Sequence, residues 1–360
     1  MSKVLMKGNE AVAEAAVRAG CRFFAGYPIT PQNEIPEYLS SRLPEVGGVF
    51  VQGESEIASV NMVYGAAAVG VRAMTSSSGP GISLKCEGIS YLASTKLPAL
   101  VVNVSRGGPG LGSISPAQSD YLQATKAMGH GGFRLMVFAP ATIQEAVDLV
   151  YTSFDYAERD RNPVLLLMDG GLGALLEQVD LPPMKELSDE GTKKWSLVRR
   201  EGEKRSHRVL TPIFPEPILE SENKMRGKLY KSWEENDVMV EEFLLEDAEY
   251  VAVAYGLSAR VTKEAVLTLR GEGHKIGMIR PITLFPFPKK SFQVLDYARV
   301  KGLIDIEMTI PAQMRDDIEL EVRGRAPVFE YGRSGGVLPD DEGVCTAMRK
   351  FIEESGGETS

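Results

Sequence analysis

Cysteine and histidine are both scarce, at three residues each among 360. Cys21, Cys86 and Cys345 are odd in number and far apart. They cannot build a disulfide framework or a four-cysteine iron–sulfur site within the chain. Free thiols of this kind fit a reducing, cytoplasmic setting. Three scattered histidines argue against a histidine-built metal centre. No apolar run approaches the roughly 18 residues of a membrane-spanning helix. The stretch from Met1 to Glu10 lacks the apolar core of a secretory signal. Basic residues are outnumbered, 40 against 49, for a net charge of −9. That leaves no cationic footprint for nucleic acid or an anionic membrane surface.

What is present is ordinary globular composition, 43% apolar and 25% charged, with 36 glycines that imply many tight turns. At about 150 residues per domain, the length corresponds to two domains or three. From Cys21 to Asp169, short apolar runs alternate with longer amphipathic segments. The runs are Phe23–Ala25, Val49–Val51, Val71–Met74, Ala99–Val104, Leu135–Phe138 and Val164–Met168. They lack polar alternation, which suits strands of a parallel sheet buried on both faces. Helices are expected at Pro31–Leu43, Ser55–Val69, Ile82–Thr95, Pro116–Met128 and Thr142–Glu158. Thr142 followed by Glu145 reads as a capping box. The alternation predicts a doubly wound α/β layer over residues 1–180. Paired prolines and mixed charges then break the rhythm, so residues 181–247 read as a partly ordered inter-domain connector. The rhythm resumes over 248–360 as a smaller α/β domain, with strands at Val251–Ala254, Lys275–Ile279, Gly302–Ile306 and Val328–Phe329. Its helices are expected at Ser258–Leu269, Phe292–Ala298, Met314–Val322 and Gly343–Glu353.

In an open parallel sheet, ligands bind beyond the carboxyl ends of the strands. Four turns rich in Gly, Pro and polar residues fall there: Gly26–Pro31, Gln52–Glu56, Thr75–Gly81 and Ser105–Gly110. Each alone has a plain structural reading as a stiff turn or helix cap. Arg106, a cation among glycines, suits recognition of a carboxylate or phosphate. His130 beside glycines reads more simply as a capping group.

Together, Tyr27–Pro31, Glu54-Ser55-Glu56, Ser76–Gly81 and Arg106–Pro109 resemble the 2-oxoacid:ferredoxin oxidoreductase family, specifically its α-type subunit with the thiamine-diphosphate pyrimidine-binding domain. The likeness continues at Gln118-Ser119-Asp120, His130-Gly131, Arg280–Pro286 and Tyr331-Gly332-Arg333. In detail it is most similar to the branched-chain, 2-oxoisovalerate type. The resemblance implies a pyrimidine-type doubly wound sheet plus a transketolase C-terminal-like domain. It implies CoA-dependent oxidative decarboxylation of a 2-oxo acid, with electrons passed to ferredoxin. Glu54 matches the carboxylate at N1′ of the aminopyrimidine, where a shared proton favours the imino tautomer. Thr30 matches the threonine near thiazolium and substrate, and Arg106 the arginine on the oxo-acid carboxylate. Tyr27, Pro28, Ile29, Ser78 and Gly79 match cofactor-binding positions.

The Gly-Asp-Gly turn and following Asn that hold diphosphate and Mg²⁺ are missing, and Met168-Asp169-Gly170-Gly171 is the nearest approach. The resemblance therefore implies half a cofactor site and no metal on this chain. A β subunit would bring the diphosphate and Mg²⁺ half, with iron–sulfur clusters also in partners. A γ subunit, and in some assemblies a ferredoxin-like δ subunit, would complete a dimer of heteromers. Pro311 stands where the family usually has Gly. A non-redox transketolase- or decarboxylase-type subunit, the same reaction on 2-oxoglutarate, and a non-catalytic assembly subunit are the alternatives.

Overall fold

The computed structural model describes residues 3–186, 195–198, 209 and 215–356. Its first half runs β1 (Val4–Lys7), α1 (Gly8–Arg18), β2 (Phe23–Gly26), α2 (Glu34–Glu45), β3 (Val49–Gln52), α3 (Glu56–Ala68), β4 (Ala73–Ser77), α4 (Pro80–Ser94) and β5 (Leu100–Ser105). It continues through α5 (Tyr121–Thr125), β6 (Met136–Phe138), α6 (Ile143–Asp160), β7 (Val164–Asp169), α7 (Gly170–Ala174) and β8 (Leu176–Val179). The second half has α8 (Glu216–Asn236), β9 (Val240–Phe243), β10 (Tyr250–Val253), α9 (Gly256–Gly271), β11 (Ile276–Pro281), β12 (Thr283–Phe285) and α10 (Lys289–Gln293). It ends with β13 (Gly302–Glu307), α11 (Arg315–Val322), β14 (Val328–Gly332) and α12 (Asp341–Gly356).

All six apolar runs of the first half become strands of one sheet, ordered β12-β6-β7-β5-β4-β2-β3. The central strands β4, β5 and β7 are buried along their whole length. Such strands need helices on both faces. One face packs against α1, α2 and α6 through Val12, Leu39 and Val147. The other packs against α3 and α4 through Val60, Val63, Ile82 and Ile89. Each such fully buried aliphatic side chain contributes about 1.5–3 kcal/mol. Parallel register brings the strand ends level, with Gly26 opposite Gln52, Ser77 opposite Asn103 and Ser105 opposite Asp169. The four turns singled out from sequence therefore leave the sheet along one edge.

The second sheet has order β14-β13-β10-β11-β9, parallel except for β9, which pairs antiparallel with β11. β12 leaves this unit and pairs antiparallel with β6 at the edge of the first sheet. Arg280 reinforces the junction, its guanidinium donating to Glu145 at 2.8 and 2.9 Å and to Glu241 at 2.6 Å.

Several expectations need correction. The connector over 181–247 lies partly outside the described residues, but its end is regular. There α8 buries Trp233, whose indole N–H donates to Asp160 at 2.8 Å, and β9 completes the second sheet. The helix expected over Pro116–Met128 shrinks to α5. Gln118 holds the preceding backbone away from α geometry: its N–H donates to Met308 O at 3.0 Å and its side-chain amide to Tyr255 O at 2.7 Å. The helix expected at Phe292–Ala298 is only α10. Glu145 accepts from Ala141 N rather than closing a reciprocal box, while Thr142 does cap α6. The N-terminal β1–α1 unit carried no signal in the sequence reading, because α1 is alanine-rich and buried almost all round.

Candidate active site

Arg106 follows β5 and is 6% exposed. Its Nη1 donates to Thr30 O at 2.9 Å and its Nη2 to Leu111 O at 3.2 Å, while Nε has no partner. The guanidinium lies against Gly79, where a Cβ would come within 3.6 Å of Arg106 Cγ. Gly79 has φ +44° and precedes Pro80 at the start of α4. The positive φ suits a residue without Cβ. Thr30 Oγ1 accepts from Asn33 Nδ2 at 3.2 Å. Arg106, Thr30 and Gly79, drawn from three separate turns, are thus brought together. Ser78, next in line, is fully buried with an unpartnered hydroxyl, as is Ser77.

A cavity of about 360 Å³ opens here, lined by Gly79, Pro80, Arg106, Gly108, Asp120 and Gln123, among others. Asp120 accepts from Asn103 Nδ2 at 2.9 Å. Burial pushes its carboxyl above the ordinary Asp range, against that hydrogen bond and the Arg106 charge.

Tyr27 and Pro28 are exposed and Ile29 is half-buried. Pro28 lines a different cavity of about 280 Å³, with Asn33, Pro36, Phe50 and Gln52. The turn itself is anchored by fully buried Gln32, which donates to Tyr27 O at 3.4 Å and accepts from Ser76 Oγ at 2.5 Å.

Glu54, which the resemblance matches to the carboxylate at N1′, lies exposed in the turn between β3 and α3. Two residues on, Glu56 is 6% exposed. Ser55 explains the difference. It is the N-cap of α3, its Oγ accepting from Ala58 N at 3.2 Å, so the helix begins at Glu56. Glu56 then falls on the buried stripe of Val60, Val63 and Ala67. Its carboxylate crowds Gly81, where a Cβ would sit 2.5 Å from Glu56 Oε1 and 2.1 Å from Ser77 Oγ. Behind it Lys85, fully buried, donates from Nζ to Glu56 O at 3.4 Å.

Sequence reasoning missed Glu56 and Lys85. Helical spacing could have found both, since Lys85 lies on the stripe of Ile82, Ile89 and Leu92. His130 is exposed, 3.3 Å from Ser90 Oγ and edge-on to Tyr91, and does not line the Arg106 cavity. Asp169 Oδ1 accepts from Leu172 N at 2.9 Å and Oδ2 from Leu257 N at 3.2 Å. That places both oxygens in structural bonds. Among the described residues, no group of three or more His, Cys, Asp or Glu could hold a metal ion, and no helix is long and apolar enough to cross a membrane.

A family model described as pyruvate flavodoxin/ferredoxin oxidoreductase, thiamine diphosphate-binding, matches residues 14–242. The chain belongs to the 2-oxoacid:ferredoxin oxidoreductase family. Residues 248–344 match the family's pyruvate:ferredoxin oxidoreductase core domain II. The chain is 45% identical to the ketoisovalerate oxidoreductase subunit VorB of Methanothermobacter marburgensis, over 99% of each. Among solved structures, it resembles a 2-oxoglutarate:ferredoxin oxidoreductase from Magnetococcus marinus with 2-oxoglutarate, coenzyme A and succinyl-CoA bound. That likeness has a TM-score of 0.84 and 26% identity, and covers 98% of this chain and 65% of the other. A split-gene transketolase matches at a TM-score of 0.59 and 15% identity, covering 96% of this chain and 97% of that one, which is a likeness of fold alone. The fold class read from sequence, and the α-type oxidoreductase subunit it implied, are both borne out.

Proposed function

We propose that this chain is the pyrimidine-binding subunit of an oxidoreductase that converts 2-oxoisovalerate, CoA and oxidised ferredoxin to the acyl-CoA, CO₂ and reduced ferredoxin. The observation that carries this reading is the 45% identity to a ketoisovalerate oxidoreductase subunit along 99% of both chains. The same reaction on 2-oxoglutarate is the alternative, favoured by the likeness to the Magnetococcus enzyme.

The residues present fit half of a thiamine diphosphate site. Glu56 offers a buried carboxyl, Gly81 lets it approach α4 closely, and the unpartnered hydroxyls of Ser77 and Ser78 lie on the same strand end and turn. Bound thiamine diphosphate supplies a nucleophilic carbon and an electron sink for decarboxylation. Burial supports Glu56, rather than Glu54, as the carboxyl that shares a proton with N1′ of the aminopyrimidine. Arg106, pinned between Thr30 and Leu111, would hold the carboxylate of the oxo acid. Thr30 would orient the substrate beside it. Diphosphate, Mg²⁺ and iron–sulfur clusters fall to partner subunits, a β and a γ subunit with or without a ferredoxin-like δ.

The test is kcat/KM of the assembled complex with 2-oxoisovalerate, 2-oxoglutarate, pyruvate and aryl-pyruvates. The highest value is expected for 2-oxoisovalerate. A preference for 2-oxoglutarate would transfer the assignment to the alternative.

A further inference from the structure

Asp305 and Glu307 stand two residues apart on β13 and are both fully buried. Alternation along a strand puts them on one face. It is the face of Leu303, which packs with Met314 and Ile318, while Ile304 and Ile306 point the other way, towards α9 and α12. Neither oxygen of Asp305 meets a donor, nor does Oε2 of Glu307. Glu307 Oε1 accepts from Met314 N at 2.7 Å. The charged and titratable groups around the pair are engaged elsewhere. Glu330, in register with Asp305 on β14, pairs with Arg315 at 3.2 Å. Asp317 on α11 takes Tyr121 Oη and Lys126 Nζ, both at 2.5 Å. Tyr255, just after β10, donates from Oη to Gln118 O at 3.2 Å, and β10 itself meets Asp305 with Val253. Two carboxylates cannot both stay ionised in so dry a layer. Burial raises both carboxyls above their ordinary range, and the Glu307 charge raises Asp305 further. The Met314 N–H favours the charged form of Glu307, so the one proton rests on Asp305 and is donated to Glu307.

The pair sits at the root of a loop on which the Arg106 cavity depends. Residues Met308–Met314 follow Glu307 directly. Met308 N donates to Gln118 Oε1 at 2.9 Å, and Met308 O accepts from Gln118 N at 3.0 Å. Gln313 accepts from Leu122 N at 2.9 Å and donates to Ser119 O at 2.8 Å. Ser119 and Asp120 line the cavity, so that wall hangs from this loop. We propose that Asp305 and Glu307 are positioning residues: the proton they share keeps Glu307 on Met314 N and so holds the Met308–Met314 loop against the Ser119–Asp120 wall. This rests on the reading of the cavity as the oxo-acid site given above. Loss of that proton at high pH leaves two facing carboxylates in one dry layer, and the loop gives way. KM for the oxo acid then rises by up to about tenfold per pH unit above the point where the pair ionises. The limiting kcat moves less, because saturating substrate draws the pair back to its protonated form.

The test is KM and kcat of the assembled complex for 2-oxoisovalerate between about pH 7 and about pH 10. Asp305→Asn keeps a donor to Glu307 and removes the titration. Its KM should match wild type at the neutral end and lack the alkaline rise. Glu307→Gln, whose amide oxygen can still accept from Met314 N, carries the same test if the Asn variant fails to assemble. The proton itself is read in the infrared difference spectrum, wild type minus Asp305→Asn, as one protonated carboxyl at neutral pH that ionises as pH rises. Absence of that carboxyl, or an equal pH dependence of KM in wild type and both variants, overturns the inference. Arg106→Ala separates the two readings. If it leaves KM as in wild type, the cavity reading falls, and hydrogen exchange of the Met308–Met314 amides decides the pair alone. Exchange faster in wild type than in Asp305→Asn at the alkaline end, and equal at the neutral end, upholds the pair. Equal exchange at both ends overturns it.

Discussion

Arg106 Nη1 donates to the main-chain carbonyl of Thr30 at 2.9 Å, and that bond ties the turn after β5 to the turn after β2. With the second bond to Leu111 O, the guanidinium is fixed before any substrate arrives. A preset cation loses little further freedom on binding a carboxylate. The unpartnered Nε marks donor capacity that the protein itself does not use.

Arg106→Lys should therefore raise KM for the oxo acid, because an ammonium cannot hold both turns and also meet a carboxylate. Arg106→Ala should raise it further, with a loss in kcat/KM of about 2–4 kcal/mol. On the proposed reading a partner subunit holds the cofactor's anionic end, so thiamine diphosphate affinity should change little. Steady-state kinetics and cofactor titration on the reconstituted complex check both statements. A loss confined to cofactor affinity would remove Arg106 from the substrate.

Glu54 and Glu56 can be told apart directly. Glu56→Gln should nearly abolish turnover and slow proton exchange at the cofactor C2 position, because an amide cannot share the N1′ proton. Glu54→Gln, at an exposed turn, should leave both close to wild type. Exchange followed by NMR on the assembled complex is the measurement. The reverse pattern would return the role to Glu54.

The choice between Glu54 and Glu56 shows what the sequence could and could not reveal. Strand existence was legible because apolar runs such as Leu100–Val102 and Val164–Met168 carry no polar alternation, and the ligand edge followed from the turns at the strands' carboxyl ends. The choice between two carboxylates in Glu54-Ser55-Glu56 depended on which residue caps the helix. Ser55 decides that, and its cap places Glu56 on the inward stripe with Val60 and Val63. The 116–128 segment looked helical by spacing, yet Gln118 bonds Met308, Tyr255 and Ser258 of the second unit. Partners so distant in sequence leave no local trace. The crossing of β12 into the first sheet was hidden for the same reason.

Lys85 offers a last test, on stability and independent of any ligand. Burial pulls its ammonium down from the ordinary value of 10.5 to about 8, with Glu56 opposing the shift. Between about 8 and 10.5, the unfolded chain then carries more protons at this position than the folded one. Stability contributed by this site must rise with pH across that window, and the full cost of the buried charge applies below it. The shift corresponds to a cost of about 3 kcal/mol. Lys85→Met removes the titration and restores an apolar stripe between Ile82 and Ile89. The variant should be more stable than wild type at pH 7, and its advantage should shrink as pH rises from about 8 towards 10.5. Chemical denaturation of both chains at matched pH values measures the difference, which cancels titrations common to the two. A difference independent of pH over that range would mean that burial does not shift the Lys85 ammonium from its ordinary value.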